Sequence, residues 1–287
     1  MFDRKIYLVI FIFLIIAAFA FLKHAPAIAV EVEIFPNEIS PGDAFVIKIT
    51  DAKISHLPSA ALGEKKFYFS KCRERCFIAI GAVDLKTEAG IYPVELNIGE
   101  EKKNIKLLVR DIKFPTQELT LPDDKVFLSP ENLKRVESEN KKLDEIFQEI
   151  SERLWDSNFI LPLKNDISTG FGIQRIINQK IISVHRGVDI QGEEGEEVTA
   201  SNKGRVVFTG KLFFGGNTVI LDHGQGIYTI YMHLSEFNVK PRDIISQGEV
   251  IGHVGSTGRS SGPHLHFGIK VLNTNVNPVS FTKLHLL

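Results

Sequence analysis

Apolar residues follow several distinct rhythms along this chain. An unbroken apolar run, IYLVIFIFLIIAAFAFL, occupies residues 6–22 behind Arg4 and Lys5. From about Val30 to Lys113 the pattern changes to short runs rich in Val, Ile, Phe and Tyr: VEVEIF, AFVIKI, FYFS, FIAIGAV, IYPVELNI and NIKLLVR. Clusters of Pro, Gly, Asn and Asp separate them, which predicts a small antiparallel β-sandwich of immunoglobulin-like type over residues 30–115. In SPENLKRVESENKKLDEIFQEISERLW the period shifts again. Leu133, Val136, Asn140, Leu143, Phe147, Ile150 and Leu154 recur at spacings of three and four, the signature of a long helix with one apolar side. Ser129 is a natural N-cap and Pro130 suits the first helical position. This helix belongs to a connecting segment, residues 116–160, and docking against a neighbouring domain suits it better than a short coiled coil.

Beyond Trp155 the strands become short and glycine-punctuated, with 17 of the 22 glycines falling between Gly170 and Gly268. Runs such as RVVFTG, NTVILDHG, IYTIYMHL and EVIGHVG predict many short strands joined by tight turns, a second all-β domain over residues 161–287. The fold class is therefore mainly β, with one connecting helix and an N-terminal apolar segment.

That segment implies export. It sits at the short edge of a membrane-spanning helix, which needs about 20 residues, and slightly beyond the core of a signal peptide. Ala25, Ala27 and Ala29 offer an A-x-A cleavage site, so residues 1–29 read either as a cleaved signal or as a membrane anchor. The expected location is the periplasm or the outer side of the cytoplasmic membrane. In such a compartment Cys72 and Cys76, the only cysteines, are expected to form a disulfide across a hairpin turn. A formal net charge of -1 supplies no bulk attraction to nucleic acid.

Six of the nine histidines share the glycine-rich stretch: His185, His223, His233, His253, His264 and His266. In a strand, His264 and His266 of PHLHF point to the same side, about 6.6 Å apart, a spacing that suits two groups serving one small site. His185 and Asp189 of HRGVD are separated by three residues, Gly187 among them. Zinc accepts imidazole nitrogen and carboxylate oxygen, and a catalytic zinc keeps three protein ligands and one open position. Two histidines and one aspartate make such a set, and the absence of cysteine here excludes a closed Cys-type site. No H-E-x-x-H occurs, so the proton must be managed by something other than the glutamate of helical metalloproteases.

FGIQR, HRGVDI, VTASNKGRVVFTG, GNTVILDHGQGIYTIYMHL, GEVIGHVGSTGRSSGPHLHFGI and VNPVSF, in that order, resemble the lysostaphin/LytM-type zinc metallopeptidases over about Leu161 to the C-terminus. The resemblance implies hydrolysis of peptide cross-links in bacterial peptidoglycan, with one zinc per chain. It implies zinc ligation by His185, Asp189 and His266, and catalytic but non-ligand roles for His264 and His233, with their division of acid and base work left open. A zinc-bound water and a neighbouring imidazole are chemically matched at neutral pH. His223 reads as structural, His253 as incidental, and Tyr231 as either a groove residue or a packed one. Arg242, and the acidic QGEEGEE beside Asp189, depart from the family pattern and bear on substrate preference rather than on the metal. The alternative is a silent relative that binds wall or activates a separate hydrolase.

Overall fold

The computed structural model describes residues 30–120, 128–179 and 181–286. The expected signal or anchor, residues 1–29, lies outside them. Among the described residues no helix is long and apolar enough to cross a membrane.

The N-terminal half contributes strands β1 (Glu31–Phe35), β2 (Glu38–Ile39), β3 (Ala44–Thr50), β4 (Ser59–Leu62), β5 (Lys65–Tyr68), β6 (Ser70–Arg73), β7 (Cys76–Ala82), β8 (Gly90–Ile98) and β9 (Glu101–Val109). They form two sheets, ordered β1-β3-β7-β6 and β2-β9-β8-β4-β5. In β8 the buried Val94, Leu96 and Ile98 alternate with exposed Glu95 and Asn97, which is how a strand covers a core on one side and meets water on the other. These residues pack with Phe45, Ile47, Phe77 and Ala79 of the facing sheet. Cys72 and Cys76 are bridged across the β6–β7 turn, with their Cα atoms 5.3 Å apart, as expected.

β7 is buried along its entire length. Its alternate residues Ile78 and Ile80, with Val46 of β3, join a second core shared with Trp155, Phe159, Phe281 and Leu286 of the C-terminal half. Polar ties reinforce that seam: Asn277 N donates to Gly42 O at 2.8 Å, and Lys65 Nζ to Thr274 Oγ1 at 2.7 Å.

Strand β10 (Thr116–Leu119) and helix α1 (Pro130–Phe147) follow. Ser129 caps α1, its hydroxyl accepting from Asn132 N at 3.2 Å. The helix docks on the C-terminal half through Phe147, which packs with Phe208, Leu212, Ile220 and Tyr228. It stops at Phe147 rather than continuing through the apolar spacing to Leu154. The competing partner is a strand turn: Gln225 N donates to Ser151 O at 2.8 Å, and Leu154 N to His223 O at 2.8 Å. Tertiary backbone bonds thus replace helical ones, and Trp155 is carried into the shared core, 1% exposed.

The C-terminal half comprises β11 (Ile167–Thr169), β12 (Gln174–Ile177), β13 (Ile181–Val184), β14 (Val188–Gln191), β15 (Glu197–Thr199), β16 (Gly204–Leu212), β17 (Gly216–Gly224), β18 (Ile227–Leu234), β19 (Glu236–Phe237), β20 (Ile244–Ile245), β21 (Val250–His253), β22 (His264–Val271), β23 (Thr274–Val276) and the short α2 (Pro278–Phe281). The main sheet runs β11-β14-β22-β18-β17-β16-β20, with β23 also on β22. A smaller sheet runs β15-β21-β19, and β10-β12-β13 form a third, in which the connecting segment pairs in parallel with the hairpin that precedes His185. The architecture is mainly β, as the sequence predicts.

Candidate metal centre and cleft

Sheet register brings the predicted residues together. Asp189 on β14 lies directly opposite His266 on β22, so their side chains leave the same face of the antiparallel pair. His264, two positions earlier on β22, shares that face. His185 precedes β14 across the Arg186–Gly187 turn, and here glycine is required by space: a Cβ at Gly187 would stand 2.5 Å from Phe267 O and 2.7 Å from His266 Nε2. His233 lies at the far end of β18, where its φ of 65° places it in the left-handed region. Non-glycine residues occupy that region at some cost, and such strain gathers at functional sites.

Three donor atoms converge. His185 Nε2 is 3.0 Å from Asp189 Oδ1 and 3.1 Å from His266 Nδ1, and His266 Nδ1 is 2.8 Å from the same carboxylate oxygen. Ligands at about 2.0–2.2 Å from a tetrahedral zinc stand roughly 3.3–3.6 Å apart. The triangle is slightly tighter than a face of such a tetrahedron. The His185 tautomer is set from outside the triangle. His185 Nδ1 is 2.8 Å from the Gly170 carbonyl, which can only accept, so the proton sits on Nδ1 and Nε2 presents a lone pair. Burial pushes the Asp189 pKa up, but the proximity of the His185 and His266 rings outweighs it and holds the carboxyl well below its ordinary range. Burial, the largest influence on His266, keeps its imidazole pKa below the usual value. Ionised carboxylate and neutral imidazoles are the forms that bind metal. One carboxylate and two imidazoles, each offering a ligand atom within 4.8 Å of the others, fit a divalent ion such as zinc.

His264 and His233 flank this triangle. Each has Nδ1 2.8 Å from a backbone carbonyl, Gly262 O for His264 and Thr257 O for His233. Nδ1 therefore carries the proton on both rings, and each leaves Nε2 as the acceptor. His264 Nε2 lies 3.8 Å from Asp189 Oδ1, and the rings of His233 and His264 are 4.9 Å apart. Burial, opposed by the Thr257 bond, lowers the His233 pKa to about 4. An open concavity of about 1100 Å³ adjoins the site, lined by Asp166, Gln191, Glu193, Glu194, Glu196 and Pro263.

The other histidines separate from the cluster. His253 sits on β21, 3.3 Å from Glu236. Tyr231 is fully buried, its hydroxyl accepting from Ser201 N at 2.9 Å, so it packs in the core and does not line the groove. His223 is fully buried, with Nδ1 2.8 Å from Lys203 O and Nε2 2.7 Å from Thr229 Oγ1. Burial lowers its pKa to about 4, against about 6.5 in an unfolded chain. Between those values the unfolded chain binds a proton that the folded chain refuses, so stability is lost as pH falls through this window, by up to about 3 kcal/mol. Denaturant unfolding at about pH 7.5 and about pH 4.5 is expected to show this loss in the wild type and a smaller one in His223→Gln.

Arg175 Nη2 lies 3.4 Å from Asp189 Oδ2, an approach that residue order does not signal. Nor does it signal the carbonyls of Gly170, Thr257 and Gly262, because a backbone oxygen leaves no trace in residue identity.

Residues 183–278 match the family model described as Peptidase family M23. The DD-carboxypeptidase/endopeptidase Mpg of Neisseria meningitidis serogroup B is 38% identical over 125 residues, covering 39% of this chain and 29% of that protein. Lysostaphin of Staphylococcus staphylolyticus is 43% identical over 86 residues, covering 29% of this chain and 18% of that protein. A Pseudomonas aeruginosa structure assigned to peptidase M23 shares 26% identity at a TM-score of 0.65, covering 85% of this chain and 94% of that one. The chain thus spans less than a third of the length of these two curated relatives.

Proposed function

We propose, from the match of residues 183–278 to the model of peptidase family M23, that this protein is an exported zinc endopeptidase hydrolysing peptide cross-links of bacterial cell-wall peptidoglycan. The observation that carries the reading is the convergence of His185, Asp189 and His266 donor atoms beside two further imidazoles. The names of the relatives, DD-carboxypeptidase/endopeptidase among them, support the substrate class. The apolar segment at residues 6–22 supports export. Residues 30–115 are read as an immunoglobulin-like domain, 116–160 as the connecting segment and 161–287 as the peptidase domain.

His185 Nε2, Asp189 Oδ1 and His266 Nδ1 would hold the metal. When bound, zinc supplies Lewis acidity to a water and to the scissile carbonyl. His264 and His233 handle protons: each keeps its Nδ1 proton on a backbone carbonyl, so Nε2 is free to take a proton and later return it to the leaving amine. The Gly170 carbonyl fixes the His185 ring.

Incubating the full chain and zinc with purified peptidoglycan should release muropeptides bearing new amino and carboxyl termini at a cross-link, read by chromatography and mass. Retention on the wall with every peptide bond intact would instead identify a wall-binding or activating protein.

A further inference from the structure

Two guanidinium groups lie within electrostatic reach of each other, and one of them touches the metal centre. Arg175 on β12 reaches Asp189 Oδ2 at 3.4 Å, at the weak end of contact, and that carboxylate is already shared by His185 and His266. Arg175 Nε is buried and has no hydrogen-bond partner. Arg259 lies in the loop that leads from β21 into His264. Its backbone N donates to Phe214 O at 2.9 Å, and its guanidinium lies over the Phe214 ring at 4.1 Å. Stacking on a ring face fixes the plane of the guanidinium and leaves its N–H edge for another group. Among the described residues no carboxylate forms an ion pair with Arg259. Partial burial is the main influence lowering its basicity, and the charge of Arg175 adds to it, so the two cations are close enough to repel. A divalent ion at the centre would deepen this positive field.

The adjoining concavity has the other sign, because Asp166, Glu193, Glu194 and Glu196 line it against a single cation, Lys164. An anionic group on a ligand is therefore repelled there and drawn to the arginine side. Arginine's fork of donors matches a carboxylate in particular.

We propose that Arg175 and Arg259 form a carboxylate-binding subsite beside the metal centre, which selects peptides carrying a free carboxylate near the scissile bond. This rests on the peptidase reading above. The carboxylate is either the free end of a peptide or a side-chain carboxylate within a cross-link, and the chemistry of recognition is the same for both.

The test measures binding and cleavage separately, using the zinc-loaded full chain. The probes are a cross-linked peptide dimer with its carboxylates free, the same dimer fully amidated, and dimers amidated only at the terminal or only at the side-chain carboxylate. The wild type is expected to bind the free acid tighter than the full amide by on the order of 10-fold or more, the usual scale for a charge-assisted hydrogen bond. In Arg259→Gln the ratio should collapse toward 1, with Arg259→Lys between, and with unchanged zinc content and unfolding midpoint. The partly amidated dimers show which carboxylate is read. A wild-type ratio near 1, or a ratio that survives Arg259→Gln, overturns the subsite. A clear binding preference without cleavage would leave the subsite standing and remove the peptidase reading.

Discussion

His266→Ala should abolish stoichiometric zinc binding and lower peptide-bond cleavage by at least about 10³-fold, since the metal's several kcal/mol of transition-state stabilisation disappears with it. The register explains why this position cannot be spared. His266 faces Asp189 across β14 and β22, and its Nδ1 touches both other donor atoms, at 2.8 and 3.1 Å. Removing it leaves two donors, one short of the three protein ligands of a catalytic zinc site. Zinc content by elemental analysis, beside cleavage of a cross-linked peptide, checks both halves of the expectation. A variant that keeps one zinc per chain would show that the third ligand lies elsewhere.

His264→Ala separates proton handling from metal binding. The ring reaches Asp189 Oδ1 only at 3.8 Å, and its Nδ1 proton is held by Gly262 O. Zinc content should therefore remain near wild type, while kcat falls by about 10²–10⁴-fold, the usual contribution of a general acid–base group. Loss of metal in this variant would move His264 into the coordination sphere. An unchanged kcat would leave His233 to manage the proton unaided.

Much of this arrangement could be read from residue order. The period-2 strands, the Ser129 cap and the Cys72–Cys76 bridge follow from local chemistry and recur in the fold. PHLHF and HRGVD are local too, and alternation along one strand places His264 and His266 on one side whatever surrounds them. The limits appear where a distant partner decides. The apolar spacing through Ile150 and Leu154 has a helical period, yet the chain leaves the helix at Phe147 because the β17–β18 turn offers Ser151 and Leu154 other backbone partners. FIAIGAV is apolar on both sides, a pattern that signals a strand covered on both faces. Only the tertiary structure shows that one cover is the C-terminal half. That shared core predisposes the two halves to fold together, so cutting the chain at Trp155 would expose Val46, Ile78 and Ile80. The carbonyls of Gly170, Thr257 and Gly262, and the approach of Arg175 to Asp189, depend on loop geometry and leave no sequence signal.

The most direct measurement titrates zinc into the chelator-stripped full chain while following bound metal and peptide-bond cleavage in peptidoglycan fragments. The expected result is cleavage that rises with zinc and stops rising at one ion per chain, and that is absent throughout in His266→Ala. Cleavage that continues in stripped protein, or that persists in His266→Ala, would contradict hydrolysis at the His185, Asp189 and His266 centre.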